Sequence, residues 1–350
     1  MATVGLLYNL GKYEPPDEGE PPDAHAELDG ESTVLALADA IKWGGHEVVF
    51  IEGDVCAYAK LREAKIDLAF NICEGLRGES RESHIPAILE MLGIPYVGSG
   101  VLTLAVALDK PVAKKIFAYH GIPTPKFRVF EPQDTIDCSG MRFPLFVKPA
   151  HEGSSMGVTP NSKVNNEEQL VEQVRMVWRF YKQAALVEEF LTGREFTVGI
   201  IGNRIPWTLP IMEINFGECP ADHGNVYSRQ FKDAWSDDKY YLCPAPVDAE
   251  LEATLKDTAI KAYTALGCRD FGRVDLRLDA DGIPNVLEIN PLPGMAPGFS
   301  DFPRAAEAGG LSYNELVCTV LDEALKRLGL NHLIIQRNRE AAEVQAFMSA

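Results

Sequence analysis

The chain has 350 residues, of which 46% are hydrophobic and 24% are charged. These proportions are typical of a folded globular protein and exclude a disordered or fibrous one. At about 150 residues per domain, the length predicts two or three domains. Acidic residues number 51 and basic residues 33, which gives a net charge of −18 without any run of Lys and Arg. We therefore expect no binding to nucleic acid or to an anionic membrane surface.

The cysteines predict a reducing compartment. Seven of them are scattered along the chain, and no CxxC spacing occurs. An odd number without paired spacing argues against a disulfide framework and against a thiolate zinc site. The N-terminus, MATVGLLYNL, has no basic region before its apolar run, so it predicts a first buried strand rather than a signal peptide. We expect a cytoplasmic protein.

The first hundred residues alternate short apolar runs with helical patterns. We predict strands at 4–7, 48–51, 68–71 and 96–97, and helices at 34–43 and 85–92. Ser32 is a candidate N-cap of the first helix, which Gly44 and Gly45 end. This alternation predicts a parallel sheet covered by helices. The acidic, proline-rich segment 12–29 is predicted to be a long loop, and such loops are often functional.

The remainder of the chain predicts two further α/β regions. A helix from 102 to about 120 contains Pro111 as a kink or junction, and a stiff connector follows at 122–125. We predict strands at 143–148, 157–159, 186–190 and 195–201, a helix at 166–181, and an irregular loop at 215–239. A helix at 248–266, a hairpin of 272–278 with 285–290, and a last helix that begins at Ser312 complete the chain. Ser312 and Glu315 have the spacing of a capping box.

The hairpin carries the most informative side chains. Alternation places Arg273 and Asp275 on one face of its first strand, and Glu288 and Asn290 on one face of its second. A turn over 280–283 puts Asp275 opposite Glu288, and two carboxylates across a ladder repel each other. A divalent cation between them would reverse this, and oxygen ligands favour Mg²⁺ over Zn²⁺. The alternative is a solvated face of an edge hairpin.

Two further segments are weaker signals for a nucleotide. The loop 151–156 is rich in small residues and follows Lys148, so its backbone N–H groups can face phosphate oxygens. It matches neither GxxxxGK[ST] nor GxGxxG, and an ordinary hairpin turn explains it equally well. Residues 186–195 resemble a hinge whose backbone could bind the adenine edge. Taken singly, Glu188 and Glu195 are more often surface charges.

Seven ordered motifs together resemble a known family. They are Leu108-Asp-Lys110, Val147-Lys-Pro149, Glu152-Gly-Ser-Ser155, Glu188-Glu-Phe-Leu191, Arg194-Glu-Phe196, Arg273-Val-Asp275 and Glu288-Ile-Asn-Pro-Leu-Pro-Gly-Met295. From about residue 71 to residue 328, the chain resembles the D-alanine–D-alanine ligases of the ATP-grasp superfamily. The resemblance implies an α/β fold with a parallel-sheet domain at 1–101. Two α+β subdomains, at 102–187 and 188–350, then enclose ATP, and the second carries a terminal helix and tail.

The resemblance also implies roles for individual residues. Lys110 and Lys148 would contact the phosphates, Glu188 the adenine amino group and Glu195 the ribose. Other expected ATP contacts are Gly153, Ser155, Leu191, Lys232 and Leu287. Two Mg²⁺ ions, or Mn²⁺, would bind Asp275, Glu288 and Asn290. Arg273 and the N–H of Gly294 would stabilise the oxyanion. Ser154 would lie at the first substrate and Ser300 would bind a substrate carboxylate, while Glu27 and Glu31 are the candidates for holding the first amine.

The implied activity is an ATP-dependent carboxylate–amine ligase that forms a dipeptide through an acyl phosphate. Its partners would be small amino acids and a second copy of the chain, in peptidoglycan synthesis or secondary metabolism. One alternative is a ligase for a different amino acid pair, and another is a nucleotide-binding module without catalysis. The retained charges at Arg273, Asp275, Glu288 and Asn290 argue against the second alternative.

The chain departs from the family pattern where amino acids would bind. Residues 8–12 replace a Gly-Gly turn and a Ser-x-Glu, and residues 71–75 replace a stretch that contains a histidine. Ala234 stands where the family has a tyrosine, and residues 298–303 carry one extra residue. We therefore expect an altered first pocket, for which a pair of D-alanines is not the best substrate. If D-alanine is the best substrate after all, Tyr227 or Lys232 has taken over the closing contact.

Overall fold

The computed structural model describes residues 1–11, 21, 23, 24, 26–219, 225–235 and 237–337, except for the side chain of Asp233. Much of the predicted loop 12–29, part of the loop 215–239 and the end of the C-terminal tail therefore lie outside the described residues. No helix in these ranges is long and apolar enough to cross a membrane. All seven cysteines are free.

Ten helices and fourteen strands occur in the described ranges. The helices are α1 Glu31–Trp43, α2 Ala57–Glu63, α3 His84–Leu92, α4 Val101–Leu108, α5 Lys110–Tyr119, α6 Glu167–Phe180, α7 Arg229–Ala234, α8 Ala249–Ala265, α9 Asp301–Ala308 and α10 Tyr313–Arg327. The strands are β1 Thr3–Tyr8, β2 Glu47–Glu52, β3 Leu68–Asn71, β4 Tyr96–Val97, β5 Phe127–Phe130, β6 Leu145–Pro149, β7 Lys163–Val164, β8 Ala185–Glu189, β9 Glu195–Ile201, β10 Trp207–Thr208, β11 Met212–Ile214, β12 Tyr241–Leu242, β13 Phe271–Leu278 and β14 Pro284–Asn290.

Three sheets organise the molecule. The first is parallel, with strand order β2-β1-β3-β4, as the alternating pattern predicts. The second is antiparallel, in the order β5-β8-β6-β7. The third follows the order β12-β11-β9-β13-β14, with β10 beside β9. The sheets succeed one another along the chain in the order of the three proposed domains, although the proposed boundary at 187/188 falls within β8.

Several predicted helix ends differ from the observed ones. Helix α1 begins one residue before Ser32, and its N-cap is Gly30, which makes no side-chain cap bond. The prediction of Ser32 as the cap was therefore wrong. The predicted helix 102–120 is two helices, and the break falls at Asp109, whose side chain accepts a hydrogen bond from the N–H of Val112. Pro111 occupies the first turn of α5, where its missing N–H costs nothing, so the expected junction is confirmed.

Other differences concern short elements. Residue 157 ends a turn and residues 158–159 have no regular structure, so the predicted strand is absent there, and Lys163–Val164 pairs with β6 instead. Helices α2 and α9 were not predicted, and α7 lies within the segment that was expected to be irregular. These helices have seven, eight and six residues. At such lengths, tertiary contacts rather than local periodicity decide the conformation.

The hairpin has the predicted register. Asp275 lies opposite Glu288 and Arg273 opposite Asn290, with an irregularity after Asp275. Strand β13 also pairs with β9, so it lies inside the sheet, and β14 forms the edge. The face is therefore not that of an isolated edge hairpin. It lies against the elements that carry the other motifs.

The last helix closes the fold on its first element. Helix α10 has the predicted capping box and packs against α1. Its Arg327 donates hydrogen bonds to both carboxylate oxygens of Asp270, at 2.8 and 2.7 Å. The same carboxylate accepts a 2.8 Å bond from the N–H of Gly98, which follows β4. This contact joins the parallel sheet, the third sheet and the terminal helix.

Candidate active site

Two adjoining cavities bring the sequence motifs together. Cavity 1 lies between the chain after β1 and β3, the end of β14 and the start of α9. Cavity 2 lies between the loop after β6, the end of β8, and strands β13 and β14. Both are lined by Lys110, Tyr227, Lys232 and Glu288. These four residues mark the place where a group could pass from one cavity to the other.

The predicted site residues divide between the two cavities. Those proposed for ATP line cavity 2, namely Lys110, Lys148, Ser155, Glu188, Leu191, Glu195, Lys232 and Leu287. Those proposed for the amino acids and the oxyanion line cavity 1, namely Glu27, Ser154, Arg273, Gly294 and Ser300, together with Gly153. Of the proposed metal ligands, Asp275 lines cavity 2, Asn290 lines cavity 1, and Glu288 lines both.

Glu288 sits in a field of positive charge. One of its oxygens, Oε2, lies 3.6 Å from Nζ of Lys110 and 3.9 Å from Nζ of Lys148. Burial alone would raise the pKa of this carboxyl, but Lys110, Lys148 and Arg273 outweigh it and lower the pKa to about 2. Glu288 is therefore ionised throughout the neutral range, as a metal ligand must be.

Glu188 is buried between two lysines at the closed end of cavity 2. Lys148 lies 3.1 Å from its Oε2, and the fully buried Lys114 pairs with its Oε1. Burial opposes ionisation, but the two ammonium groups hold the pKa of Glu188 below its usual value. Lys114 also donates a 2.8 Å hydrogen bond to Thr124, which fixes the connector before β5. The sequence reasoning missed Lys114.

The pKa of Glu195 is shifted in the opposite direction to that of Glu188. Burial raises its pKa to about 7, although Arg277 donates a 2.9 Å hydrogen bond to its Oε2. The guanidinium of Arg277 also lies 4.6 Å from the ring centre of Phe190, a cation–π contact on the wall of cavity 2. A carboxyl close to half-protonation can accept or donate a hydrogen bond, as recognition of a hydroxyl group requires.

The loop after β6 is held in an unusual conformation. Ser154 and Ser155 both have positive φ, at 47° and 60°. Side chains disfavour this region by roughly 1–2 kcal/mol per residue, so outside contacts must hold the loop. The N–H of Gly153 donates a 2.5 Å hydrogen bond to Glu27, and the hydroxyl of Ser155 donates a 3.1 Å bond to the carbonyl of Tyr227.

Arg81 connects this loop to the N-terminal domain. Its guanidinium lies 2.6 Å from Glu27 and 2.9 Å from Glu152, and it also donates to the carbonyl of His151. The structure thus places Glu27 in cavity 1, whereas Glu31 is exposed in the first turn of α1. Arg81 was not singled out in the sequence, because no local spacing links it to the loop.

Arg273 and Asn290 both contact Asp275. The guanidinium makes two 2.9 Å bonds to the carboxylate, and the amide of Asn290 donates a third at 3.0 Å. Thr197 on β9 adds a 2.6 Å bond. Asp275 is thereby held in one orientation, with Arg273 directed into cavity 1. Asp275 therefore contacts both Arg273, which was predicted to bind the oxyanion, and Asn290, which was predicted to bind a metal.

A turn after β14 brings a backbone N–H beside a hydroxyl. A Cβ atom at Gly294 would lie 2.8 Å from Oγ of Ser300, so only glycine leaves this approach unobstructed. Ser300 caps the start of α9, and its Oγ accepts a 3.1 Å hydrogen bond from the N–H of Ala296. Gly294, Ser300 and the first residue of α9 all line cavity 1.

The predicted position of the missing tyrosine needs correction. Ala234 is exposed at the end of α7 and lines neither cavity, so it does not face the amino acids. Tyr227 lines both cavities instead. Its hydroxyl lies 3.1 Å from Asp301, and the ammonium group of Lys232 lies 4.6 Å from its ring centre. Burial and the adjacent Arg273 lower the pKa of Lys232.

Three further carboxylates line cavity 1. Asp29 ends the loop 12–29 and Glu74 lies in the segment 71–75, both of which were expected to face the amino acids, whereas Glu82 was not singled out. Asp29, Glu74 and Glu82 form the wall nearest the N-terminal sheet. Glu74 lies just beyond the carboxyl end of β3, where ligands of parallel sheets commonly bind, and this rule could have identified it. Burial, followed by the neighbouring carboxylates, raises the pKa of Glu74 well above its usual value.

Comparisons with known proteins agree with this geometry. The family model described as the D-ala D-ala ligase C-terminus matches residues 116–322. A D-alanine–D-alanine ligase of Pelotomaculum thermopropionicum is 34% identical over 84% of this chain and 92% of its own. One of Cupriavidus taiwanensis is 39% identical over 76% and 78% of the two chains. An uncharacterized protein of Sinorhizobium fredii, y4sG, is 36% identical over 93% and 95%.

A solved structure shows the same architecture. The D-alanine–D-alanine ligase of Bacillus anthracis complexed with ATP superposes with a TM-score of 0.71 at 25% identity, covering 94% of this chain and 99% of that one. The predicted α/β fold of the ATP-grasp type is thus confirmed, as is the assignment made from the seven motifs. The chain belongs to the D-alanine–D-alanine ligase family.

Proposed function

We propose that this ligase uses ATP to activate the carboxylate of one amino acid bound in cavity 1, and that the amine of a second amino acid then attacks it. The observation that supports this most is the position of Glu288. It lies at the junction of the two cavities, within 4 Å of the Nζ atoms of Lys110 and Lys148. A phosphoryl group passing from ATP to a carboxylate would cross this point.

The proposed reaction has two steps. A carboxylate oxygen of the first amino acid attacks the γ-phosphorus of ATP, ADP leaves, and an acyl phosphate forms. Lys110 and Lys148 orient the phosphates and balance their charge. The amine of the second amino acid then attacks the acyl carbon, phosphate leaves, and an amide bond forms. Arg273 and the N–H of Gly294 hold the oxyanion of the tetrahedral intermediate.

The proposed metal ligands fit a hard divalent cation. Asp275 and Glu288 face each other across the ladder, and the amide oxygen of Asn290 lies on the same face. Oxygen-only donors of this kind suit Mg²⁺ or Mn²⁺, which keep several positions for phosphate oxygens. When bound, two Mg²⁺ ions would neutralise the charge that develops on the transferring phosphoryl group.

A nucleotide-binding module without catalysis is the less favoured alternative. Arg273 and Asp275 are bonded to each other and poised beside Asn290 and Glu288, although clustering and burying such charges is costly. A site that only bound a nucleotide in cavity 2 would have no use for Arg273, which is directed into cavity 1.

Release of ADP distinguishes the two candidates. The protein with ATP and Mg²⁺ is incubated with pairs from a panel of D- and L-amino acids, D-alanine among them, and products are identified by mass spectrometry. We expect steady ADP release that depends on amino acids, with one dipeptide formed per ADP. ATP binding without turnover for any pair would favour the binding module.

We also propose a homodimer that functions in the cytoplasm. The seven free cysteines support a reducing compartment. Strand β2 forms one edge of the parallel sheet and exposes Val49 and Phe50, which supports contact with a second copy. Light scattering of the purified protein should give about twice the chain mass, and Phe50→Lys should halve it. A monomer at micromolar concentration would contradict the proposal.

A further inference from the structure

One wall of cavity 1 carries more carboxyl groups than the cations in contact with it can pair. It consists of Glu27, Asp29, Glu74 and Glu82, which we call the acidic wall. Glu27 pairs with Arg81. The side chains of the other three make no hydrogen bond or ion pair with any residue that the structure describes.

Glu82 is the most informative member of the wall. Its exposed fraction is only 8%, yet it lines the cavity without a partner among the described residues. A buried carboxylate without a partner is strongly disfavoured, so it either stays protonated or awaits a cation. Burial, followed by the charge of Glu27, raises the pKa of Glu82 to about 8, and burial raises that of Asp29 to about 7.

The described cations that line cavity 1 or its wall make their contacts with other groups. Arg229 bonds to the carbonyl of Ala26, and Lys232 lies over the ring of Tyr227. Arg81 bonds to Glu27 and Glu152, and Arg273 bonds to Asp275. Lys110 faces Glu288 and the carbonyl of Glu152. None of these ion pairs includes Asp29, Glu74 or Glu82. A cationic ligand bound here would supply the counter-charge with which these three carboxyl groups could ionise.

The acids of this wall do not converge on one point. Among the described residues, no group of three or more His, Cys, Asp or Glu side chains converges closely enough to hold a metal ion. Carboxylates that are spread along a wall suit an extended organic cation, because its ammonium or guanidinium groups are separated by several bonds and can reach different acids.

We propose that the first amino acid, whose carboxylate is activated, is a basic one with a second ammonium or guanidinium group in its side chain. The inference rests on the proposed ligase function and deepens it. The acidic wall includes Glu27, which contacts the loop of Ser154, and it lies on the N-terminal domain, whereas Ser300 belongs to the C-terminal wall. The first subsite therefore borders the acids.

Matched amino acids test the charge without changing the size. Ornithine is compared with norleucine and lysine with 2-aminoheptanoate, as D- and L-forms, each with a panel of second amino acids. ADP release gives kcat/KM, and tandem mass spectrometry of the dipeptide shows which amino acid is N-terminal. We expect the basic member of at least one pair to exceed its neutral counterpart by tenfold or more and to occupy the N-terminal position.

Two variants locate the preference. Glu82→Gln and Glu74→Gln each keep the shape but remove a potential charge, and we expect them to lower the ratio of kcat/KM for the basic over the neutral amino acid by about tenfold. Glu79→Gln, which changes an exposed carboxylate in the same segment, should leave the ratio unchanged.

The outcomes separate the two proposals. Dipeptide formation from neutral amino acids, with basic ones equal or worse, would overturn the inference and leave the ligase function standing. A basic preference that Glu82→Gln and Glu74→Gln both retain would also overturn it, because the wall would not be its source. Failure of every pair to give dipeptide and ADP would contradict the proposed function itself.

Discussion

Glu288 shows how one side chain can belong to both halves of a site. Two lysines lie within 4 Å of its carboxylate, and a second carboxylate faces it across the strand pair. The lysines keep it ionised, with a pKa of about 2, so its charge is constant over the pH range in which a ligase would be assayed. Its function depends on that charge rather than on its size.

Glu288→Gln tests this dependence. A neutral amide cannot bridge cations in place of a carboxylate, so we expect ADP formation to fall at least about 100-fold with the fold retained. Turnover at saturating Mg²⁺ and circular dichroism are the measurements. Glu250→Gln, an exposed carboxylate in the first turn of α8, should behave like the parent. Near-normal turnover of Glu288→Gln would exclude the proposed metal role.

Lys148 is expected to act on the nucleotide. Lys148→Ala removes a buried ammonium group from cavity 2, although Glu188 keeps Lys114 as a partner. We expect the dissociation constant of ATP to rise about 10- to 100-fold, because charge-assisted bonds to phosphate each contribute about 1.5–3 kcal/mol. Calorimetric titration with ATP and Mg²⁺ measures this. An unchanged constant and rate would leave the loop after β6 as an ordinary turn.

Glu82 should make stability depend on pH. Its pKa rises from 4.5 in the unfolded chain to about 8 in the fold, so the native state binds more protons between these values. The stabilisation is complete below pH 4.5 and is lost as the pH rises through about 8. We expect the Tm to fall between pH 5 and 8, and Glu82→Gln to reduce this slope. An identical slope in Glu79→Gln and the parent is the control; an unaltered slope in Glu82→Gln would contradict the assignment.

At the scale of elements, N-cap residues were useful but incomplete predictors of where helices begin. The predicted capping box of Ser312 and Glu315 is confirmed, and the side chain of Asn166 caps α6. Ser32 satisfied the same residue preference but does not cap its helix. A polar residue near the start of a helix is compatible with an N-cap but does not establish one. The backbone conformation just before the helix determines which residue is the cap.

The two serines therefore make a matched pair. Ser312→Ala removes the acceptor for the N–H of Glu315, and we expect a loss of about 1 kcal/mol, or roughly 1–2 °C in Tm for a chain of this size. Ser32→Ala removes no cap bond and should leave the Tm unchanged. Thermal unfolding followed by circular dichroism measures both. Equal shifts in the two variants would contradict the assignment of the caps.

At the scale of the whole molecule, the terminal helix joins units that are distant in sequence. Asp270 is fully buried and accepts hydrogen bonds from Arg327 on α10 and from Gly98 after β4. Cavity 1 lies between the same units. The joint is therefore positioned to hold the two walls of the cavity at a fixed separation.

Asp270→Asn should weaken that joint. It leaves the guanidinium of Arg327 without its counter-charge in a largely buried position, and breaking such a pair costs about 3–5 kcal/mol. We expect the Tm to fall by about 4–7 °C. Asp257→Asn, which breaks an exposed ion pair with Lys261, should change it by less than 1 °C. A shift of that small size in Asp270→Asn would show that the joint does not stabilise the fold.

The sequence by itself determined the periodic elements, the hairpin register and the order of the seven motifs. Alternation in β13 and β14 placed Asp275 opposite Glu288, because side chains one strand apart follow the backbone pleat. These features depend on neighbours in the chain or on a single turn. They could be predicted for that reason, whereas the residues expected to contact ATP, which line cavity 2, were assigned from the resemblance of the ordered motifs to a family.

Only the tertiary structure decided which further residues join the predicted ones in cavity 1. Arg81, Asp29 and Glu82 meet the loop of Gly153 and the end of β14 across long stretches of chain, and no local spacing encodes that meeting. Tyr227, rather than a residue at position 234, reaches the cavity because the backbone before α7 sets its direction. Burial then shifts the pKa of a carboxyl group. Burial is a property of the packed molecule, not of the residue or its neighbours in sequence.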